Sequence, residues 1–154
     1  MSSWRRTAAA AGLLSVGVTL AGCGADRADQ AVIDRLRTEA ILDAPAGATP
    51  LASRTHKGGG SDLAGVRGAS SVTVTWATTR RPDEVAAFFH STFDSTWDLH
   101  DNGYAPGGGW SAIGADRKSP GTVATIEARA PRSEDGAPVE ARSVVTVQLS
   151  ATRE

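Results

Sequence analysis

The chain has 154 residues, with 16 Lys and Arg against 17 Asp and Glu, a net charge of −1 whose basic residues are scattered along the sequence. That balance argues against a nucleic-acid partner, which needs a clustered basic surface. A lone cysteine excludes an internal disulfide, and 5% aromatics with 17 Gly and 7 Pro predict one small, loop-rich domain with a modest core.

Residues 1–22 have the pattern of an export signal. Arg5 and Arg6 supply a positive start. The stretch from Thr7 to Leu20, TAAAAGLLSVGVTL, is apolar but falls short of the roughly 20 residues that a spanning helix needs. A helix packed in the core is the competing reading, but small residues and glycines make it a poor helix, and it has no polar face. Without Arg5 and Arg6 the chain carries 14 basic against 17 acidic residues, a net charge of −3.

Leu20-Ala21-Gly22-Cys23 resembles the lipobox of bacterial lipoproteins: an aliphatic residue, two small residues, then cysteine directly after the apolar run. The resemblance implies alkylation of the Cys23 thiol by a diacylglyceryl group and cleavage by signal peptidase II between Gly22 and Cys23. Cys23 would then be the lipid-bearing first residue of the mature chain, on the extracytoplasmic face of the cell membrane. Arg5-Arg6 also invites comparison with twin-arginine signals. The residues that follow, Thr7, Ala8 and Ala9, lack the strong hydrophobicity of that family, so the general secretory route is expected.

Gly24 to Ala28 reads as a polar tether. In DQAVIDRLRTEAILD, residues 29–43, Val32, Ile33, Leu36, Ala40 and Ile41 recur at helical spacing, with Asp29 as cap and Pro45 as stop. Residues 44–68 are irregular, with a short edge strand at Leu51–Thr55 and a loop at Gly58-Gly59-Gly60. The clearest strand is Ser71–Thr79, where Val72, Val74 and Trp76 alternate with threonines. A second helix follows in RRPDEVAAFFHSTF. Pro82 suits its first turn and Asp83 and Glu84 its positive end, while Val85, Phe88, Phe89, Thr92 and Phe93 form a buried face. Trp97 and Leu99 alternate in a further strand, Asn102-Gly103 predicts a two-residue hairpin turn, and the chain returns at Trp110–Ile113. Thr122–Arg129 and Arg142–Ala151 complete the strands, joined by a turn-rich connector at 131–139.

The expected fold is therefore α+β: a single small domain with a mostly antiparallel sheet of about four to five strands and two helices on one face. One parallel strand pair could come from the strand–helix–strand unit at 71–99. Pro45-Ala46-Gly47-Ala48 after the first helix, the Pro-Asp-Glu-Val helix ending in aromatics and the Trp-led strand resemble small lipoproteins of unassigned role in high-GC Gram-positive bacteria. That resemblance spans roughly residues 30–150 and implies no catalytic residues. The domain plan is 1–22 signal peptide, 23–28 lipidated tether and 29–154 folded domain.

His90, Asp94, Asp98 and His100 form the only grouping with metal-ligand chemistry. The competing reading is solvated faces, since His90 and Asp94 lie on the polar side of the helix and Asp98 and His100 alternate with Trp97 and Leu99. Gly58-Gly59-Gly60 and Gly107-Gly108-Gly109 lack the following Lys and Ser/Thr of a phosphate loop. No nucleophile elbow surrounds Ser61 or Ser111, and His56 and Lys57 have no visible acid–base partner. Tyr104 and Trp110 could form an aromatic binding rim, with burial in the core as the alternative. Arg80-Arg81 could face anionic headgroups, worth about 1 kcal/mol per charge.

These readings converge on a membrane-anchored lipoprotein, a non-enzymatic binding or accessory protein of the cell envelope. Its partners would be the membrane, through the diacylglyceryl on Cys23, and an envelope protein or small ligand; no cofactor and no nucleic acid are expected. A small hydrolase or metal-dependent enzyme built on His90, Asp94, Asp98 and His100 is one alternative. The other is a carrier of an apolar ligand, which needs a continuous cavity of roughly 300 Å³ or more.

Overall fold

The computed structural model describes residues 21–59, 68–105 and 108–152, with side chains at 27–59, 68–103 and 108–152. Residues 1–20, 60–67, 106–107 and 153–154 lie outside the described residues, and with them the signal-peptide reading, Gly60, Ser61 and Gly107. So do the side chains of Cys23 and Tyr104.

Strand propensity and two-residue alternation produce six strands: β1 (Thr49–His56), β2 (Ser70–Thr78), β3 (Trp97–Ala105), β4 (Gly109–Asp116), β5 (Thr122–Arg129) and β6 (Ser143–Ala151). They form one sheet in the order β1-β2-β6-β5-β4-β3. The α+β class holds, with more strands than the four to five expected. β1 is exposed along nearly its whole length and lacks a hydrophobic alternation, yet it pairs with β2 from Thr49 to His56. Every neighbouring pair is antiparallel. The expected parallel pair does not form. β2 and β3 run in the same direction, but β6, β5 and β4 lie between them, and α2 (Pro82–Phe93) makes the crossing.

The C-terminal β6 is the most apolar strand and takes a central place. Val145 and Val147 are paired directly with Trp76 and Val74 of β2 on one side, and with Ala128 and Ile126 of β5 on the other. This face carries the core, packed against α1 (Ala21–Leu36) and α2. Phe89 is fully buried and stacks between Trp76, at 6.4 Å, and Trp110, at 5.9 Å. Burial of each such side chain stabilises by about 1.5–3 kcal/mol, so the α2 face is the main tie between helix layer and sheet. Thr92, expected on that face, is exposed.

The first helix differs from the sequence reading at both ends. Residues 24–28, expected as a tether, are helical, and Asp29 is not a cap but a buried residue inside α1. Ser70 Oγ donates to its carboxylate at 3.4 Å and accepts the Gly58 N–H at 3.0 Å, which joins α1 to the start of β2. The helix stops at Leu36 instead of Asp43, and Thr38 Oγ1 closes its end by donating to the Arg35 carbonyl at 2.7 Å. A short 3₁₀ turn at Ala40–Leu42 then buries both Ile41 and Leu42. Adjacent residues of a continuous α-helix point about 100° apart, which disfavours burying both of them in one core.

Asn102-Gly103 is a bulge, not the hairpin turn expected. Strand pairing continues beyond it to Tyr104–Trp110 and Ala105–Gly109, and the register shifts between Asp101 and Tyr104. Gly103, at φ +77°, gives the left-handed backbone that the bulge requires. No helix among the described residues is long and apolar enough to cross a membrane.

Candidate functional site

The sequence candidates on α2 do assemble, but with a different partner. His90 follows the buried Phe89, so its ring emerges at the margin of the core, 32% exposed. One turn later Asp94 places Oδ1 3.0 Å from His90 Nδ1. On the other side of the ring, Nε2 lies 2.9 Å from Oδ1 of Asp101 on β3. Trp110 of β4 donates its indole N–H to the same Asp101 oxygen at 2.8 Å, and its ring meets the imidazole edge-on at 5.9 Å.

Both imidazole nitrogens therefore face carboxylate oxygens. A protonated ring donates to both, whereas a neutral ring donates to one only. The hydrogen bond to Asp101 is the main cause that raises the His90 pKa above its ordinary 6.5; partial burial opposes it and Asp94 adds to it. Asp101 is held below its ordinary 3.8, first by His90 and then by the Trp110 N–H. The arrangement is a charge-paired clamp between α2, β3 and β4. When the ring is protonated it donates to both carboxylates and offers no lone pair to a metal or a substrate proton.

The four expected ligands do not form one site. Trp97, Leu99 and Asp101 point to the helix-covered face of β3, so alternation sends Asp98 and His100 to the opposite face. There His100 Nε2 lies 3.3 Å from Asp98, and Arg117 holds the other Asp98 oxygen at 3.0 Å. Among the described residues, no group of three or more His, Cys, Asp or Glu is placed to hold a metal ion.

The aromatic rim divides as well. Trp110 is half-buried, with its ring committed to Phe89 and its N–H to Asp101, while Tyr104 pairs with it only through the described backbone. Arg80 lies over the Phe88 ring at 5.1 Å, and Arg81 pairs with Asp83 at 3.1 Å beside the helix start. Among the described residues, two of the clefts that could take an apolar ligand lie at the margins of the helix layer and have volumes of about 560 and 390 Å³. The larger is lined by Ile41, Phe93 and Trp97 together with exposed Thr92 and Lys118, and the smaller by Leu42, Leu51 and Val74 together with exposed Asp43.

A second polar cluster, not anticipated from the sequence, lies on the face of the sheet away from the helices. Arg129 forks onto Asp135 through two bonds of 2.8 and 2.7 Å, and the Arg132 backbone N–H donates to Asp135 at 2.6 Å. The pair holds the Asp135 pKa at about 2, with Arg129 as the largest cause. Alternating polar residues on β5 gave no sign of this pairing, because Asp135 comes from the connector, whose path the sequence does not specify.

No family model matches the chain, and neither a curated protein nor a solved structure is significantly similar to it.

Proposed function

We propose that the chain is an extracytoplasmic lipoprotein, held at the cell membrane through diacylglycerol on Cys23, whose sheet domain is a non-enzymatic binding or accessory module of the envelope. The observation that carries this reading is the position of the only cysteine. Cys23 follows Leu20-Ala21-Gly22 at the end of an apolar run that opens with Arg5-Arg6. A diacylglyceryl thioether adds two acyl chains, each buried CH₂ contributing about 0.8 kcal/mol, and two chains anchor stably where one does not. Cleavage before Cys23 would make this residue the first of α1 and bring the domain directly against the bilayer. The non-enzymatic reading is supported by His90, whose two ring nitrogens both face carboxylates of the chain itself.

The test is Cys23→Ser in the full chain, expressed in a bacterium that processes lipoproteins. Loss of the protein from the membrane fraction, or accumulation of an uncleaved precursor that takes up no fatty-acid label, is expected. Unchanged membrane association with normal processing would overturn the reading.

A further inference from the structure

Among the described residues no helix packs on one face of the sheet, and the residues of that face form rows across the strands. Arg54 of β1 is opposite Thr73 of β2, and Thr75 of β2 is opposite Thr146 of β6. At one end of this face Asp135 of the connector reaches Arg129, and the space enclosed between that bridge and β1 is a pocket of about 350 Å³. That volume is at the lower end of the roughly 300–1,000 Å³ typical of small-molecule sites.

Chemically the pocket has a floor and two walls, with Leu51 and Ala52 completing its lining. Its floor is hydroxylic: Thr73, Thr75 and Thr146 are half-buried, and the Thr75 and Thr146 hydroxyls lie 3.4 Å apart, each able to donate and accept. One wall is fixed and neutralised, since the Arg129 guanidinium is forked onto Asp135 and has Glu127 4.0 Å from its Nε. The other wall carries Arg54, which among the described residues makes no hydrogen bond or ion pair. An uncommitted guanidinium beside a row of hydroxyls suits a carboxylate or phosphate attached to a hydroxyl-rich body.

We propose that this pocket binds a small polyol bearing one anionic group, the chemistry of an acidic sugar, with the anion on Arg54 and the hydroxyls on Thr73, Thr75 and Thr146. The proposal deepens the binding-module reading and rests on it. It is independent of the anchor, because α1 packs on the opposite face of the sheet.

The experiment is a titration of the full chain in detergent with D-glucuronate, with glucose and inorganic phosphate as comparison ligands, followed by amide NMR shifts. Saturable glucuronate binding that shifts β1, β2 and β6 resonances is expected. It should weaken about tenfold or more in Arg54→Ala, an exposed site whose substitution leaves the core intact, and more modestly in Thr146→Val. Glucose should bind more weakly for lack of the anion, and phosphate for lack of the hydroxyls. The absence of saturable glucuronate binding, equal binding of either comparison ligand, or binding indifferent to Arg54→Ala would each overturn the proposal. Cys23→Ser separates the two readings: it should release the protein from the membrane while leaving glucuronate binding unchanged.

Discussion

His90 Nε2 lies 2.9 Å from Asp101 Oδ1, and this contact ties the last turn of α2 to the edge strand β3. The groups facing the ring are Asp94 from its own helix, Asp101 from β3 and Trp110 from β4. Because the folded pKa of His90 is raised above 6.5, its charged form adds stability that is fully present below about that pH and is lost as pH rises through the folded value. Asp101 behaves in the opposite sense: its contribution is present above 3.8 and is lost as pH falls through its lower folded value. The clamp is therefore strongest between these limits. The melting temperature should decline as pH rises from 6.5 through the folded value, and His90→Gln should flatten that decline. An imidazole titration by NMR giving a His90 pKa at or below the ordinary value would refute the clamp.

Asp101→Ala should cost more than His90→Gln, because it removes the acceptor of two donors at once, His90 Nε2 and Trp110 Nε1. Trp110 is only half-buried, so the loss should be about 1–2 kcal/mol in urea unfolding. Asp101→Asn keeps an oxygen for the indole and should fall between wild type and alanine. Equal stability of all three proteins would mean that the carboxylate contributes nothing to holding β3 and β4 against α2.

Much of the sheet was legible from residue order, since Val72-Val74-Trp76 and Val145-Val147-Leu149 alternate cleanly and fill the core where they should. The clamp was half legible. Helical spacing gives the His90–Asp94 pair, and the alternation that sends Trp97 and Leu99 inward continues to Asp101 at the exposed end of the same face. Asn102-Gly103 obscured that step, because the same left-handed backbone serves a bulge or a turn, and the choice depends on whether Tyr104 finds a partner in Trp110. The break after Leu36 was not legible, since Ala40 and Ile41 also fit the period of a longer helix. The Arg129–Asp135 fork depends on the fold of the connector, where no periodicity constrains the chain.

That fork should lose stability in acid. Asp135 is only 10% exposed and Arg129 19%, so their interaction is less screened than a surface ion pair. The Asp135 pKa falls from 3.8 to about 2, so its contribution, on the order of 2 kcal/mol, is present above 3.8 and disappears as pH drops toward 2. Asp135→Asn should lower stability at pH 7 and reduce the loss on acidification between those values. Arg129→Lys should also destabilise, because an ammonium cannot reproduce the two parallel bonds. Denaturant unfolding at pH 3 and pH 7 separates these outcomes. An acid dependence that is the same in Asp135→Asn and in wild type would assign the acid limit to other carboxylates.

Gly109 opens β4 with its Cα facing the backbone of β5. A Cβ built there would strike the Ala128 carbonyl and approach the Arg129 Cα at 3.0 Å. Both obstacles are backbone atoms of a paired strand, so they cannot swing aside as a side-chain terminus would. Gly109→Ala should therefore separate the ends of β4 and β5 and destabilise by about 1–3 kcal/mol. The next residue, Trp110, is paired with Ala128 and bonded to Asp101, so the strain should also appear locally. We expect a shifted Trp110 indole N–H resonance and a less perturbed His90 titration. Gly121→Ala is the matched control, because a Cβ there meets nothing within 4 Å, and its stability should stay within about 0.5 kcal/mol of wild type. If Gly109→Ala matches that control and leaves the Trp110 resonance in place, the two strands are not held together at that end, and the clamp does not depend on their pairing.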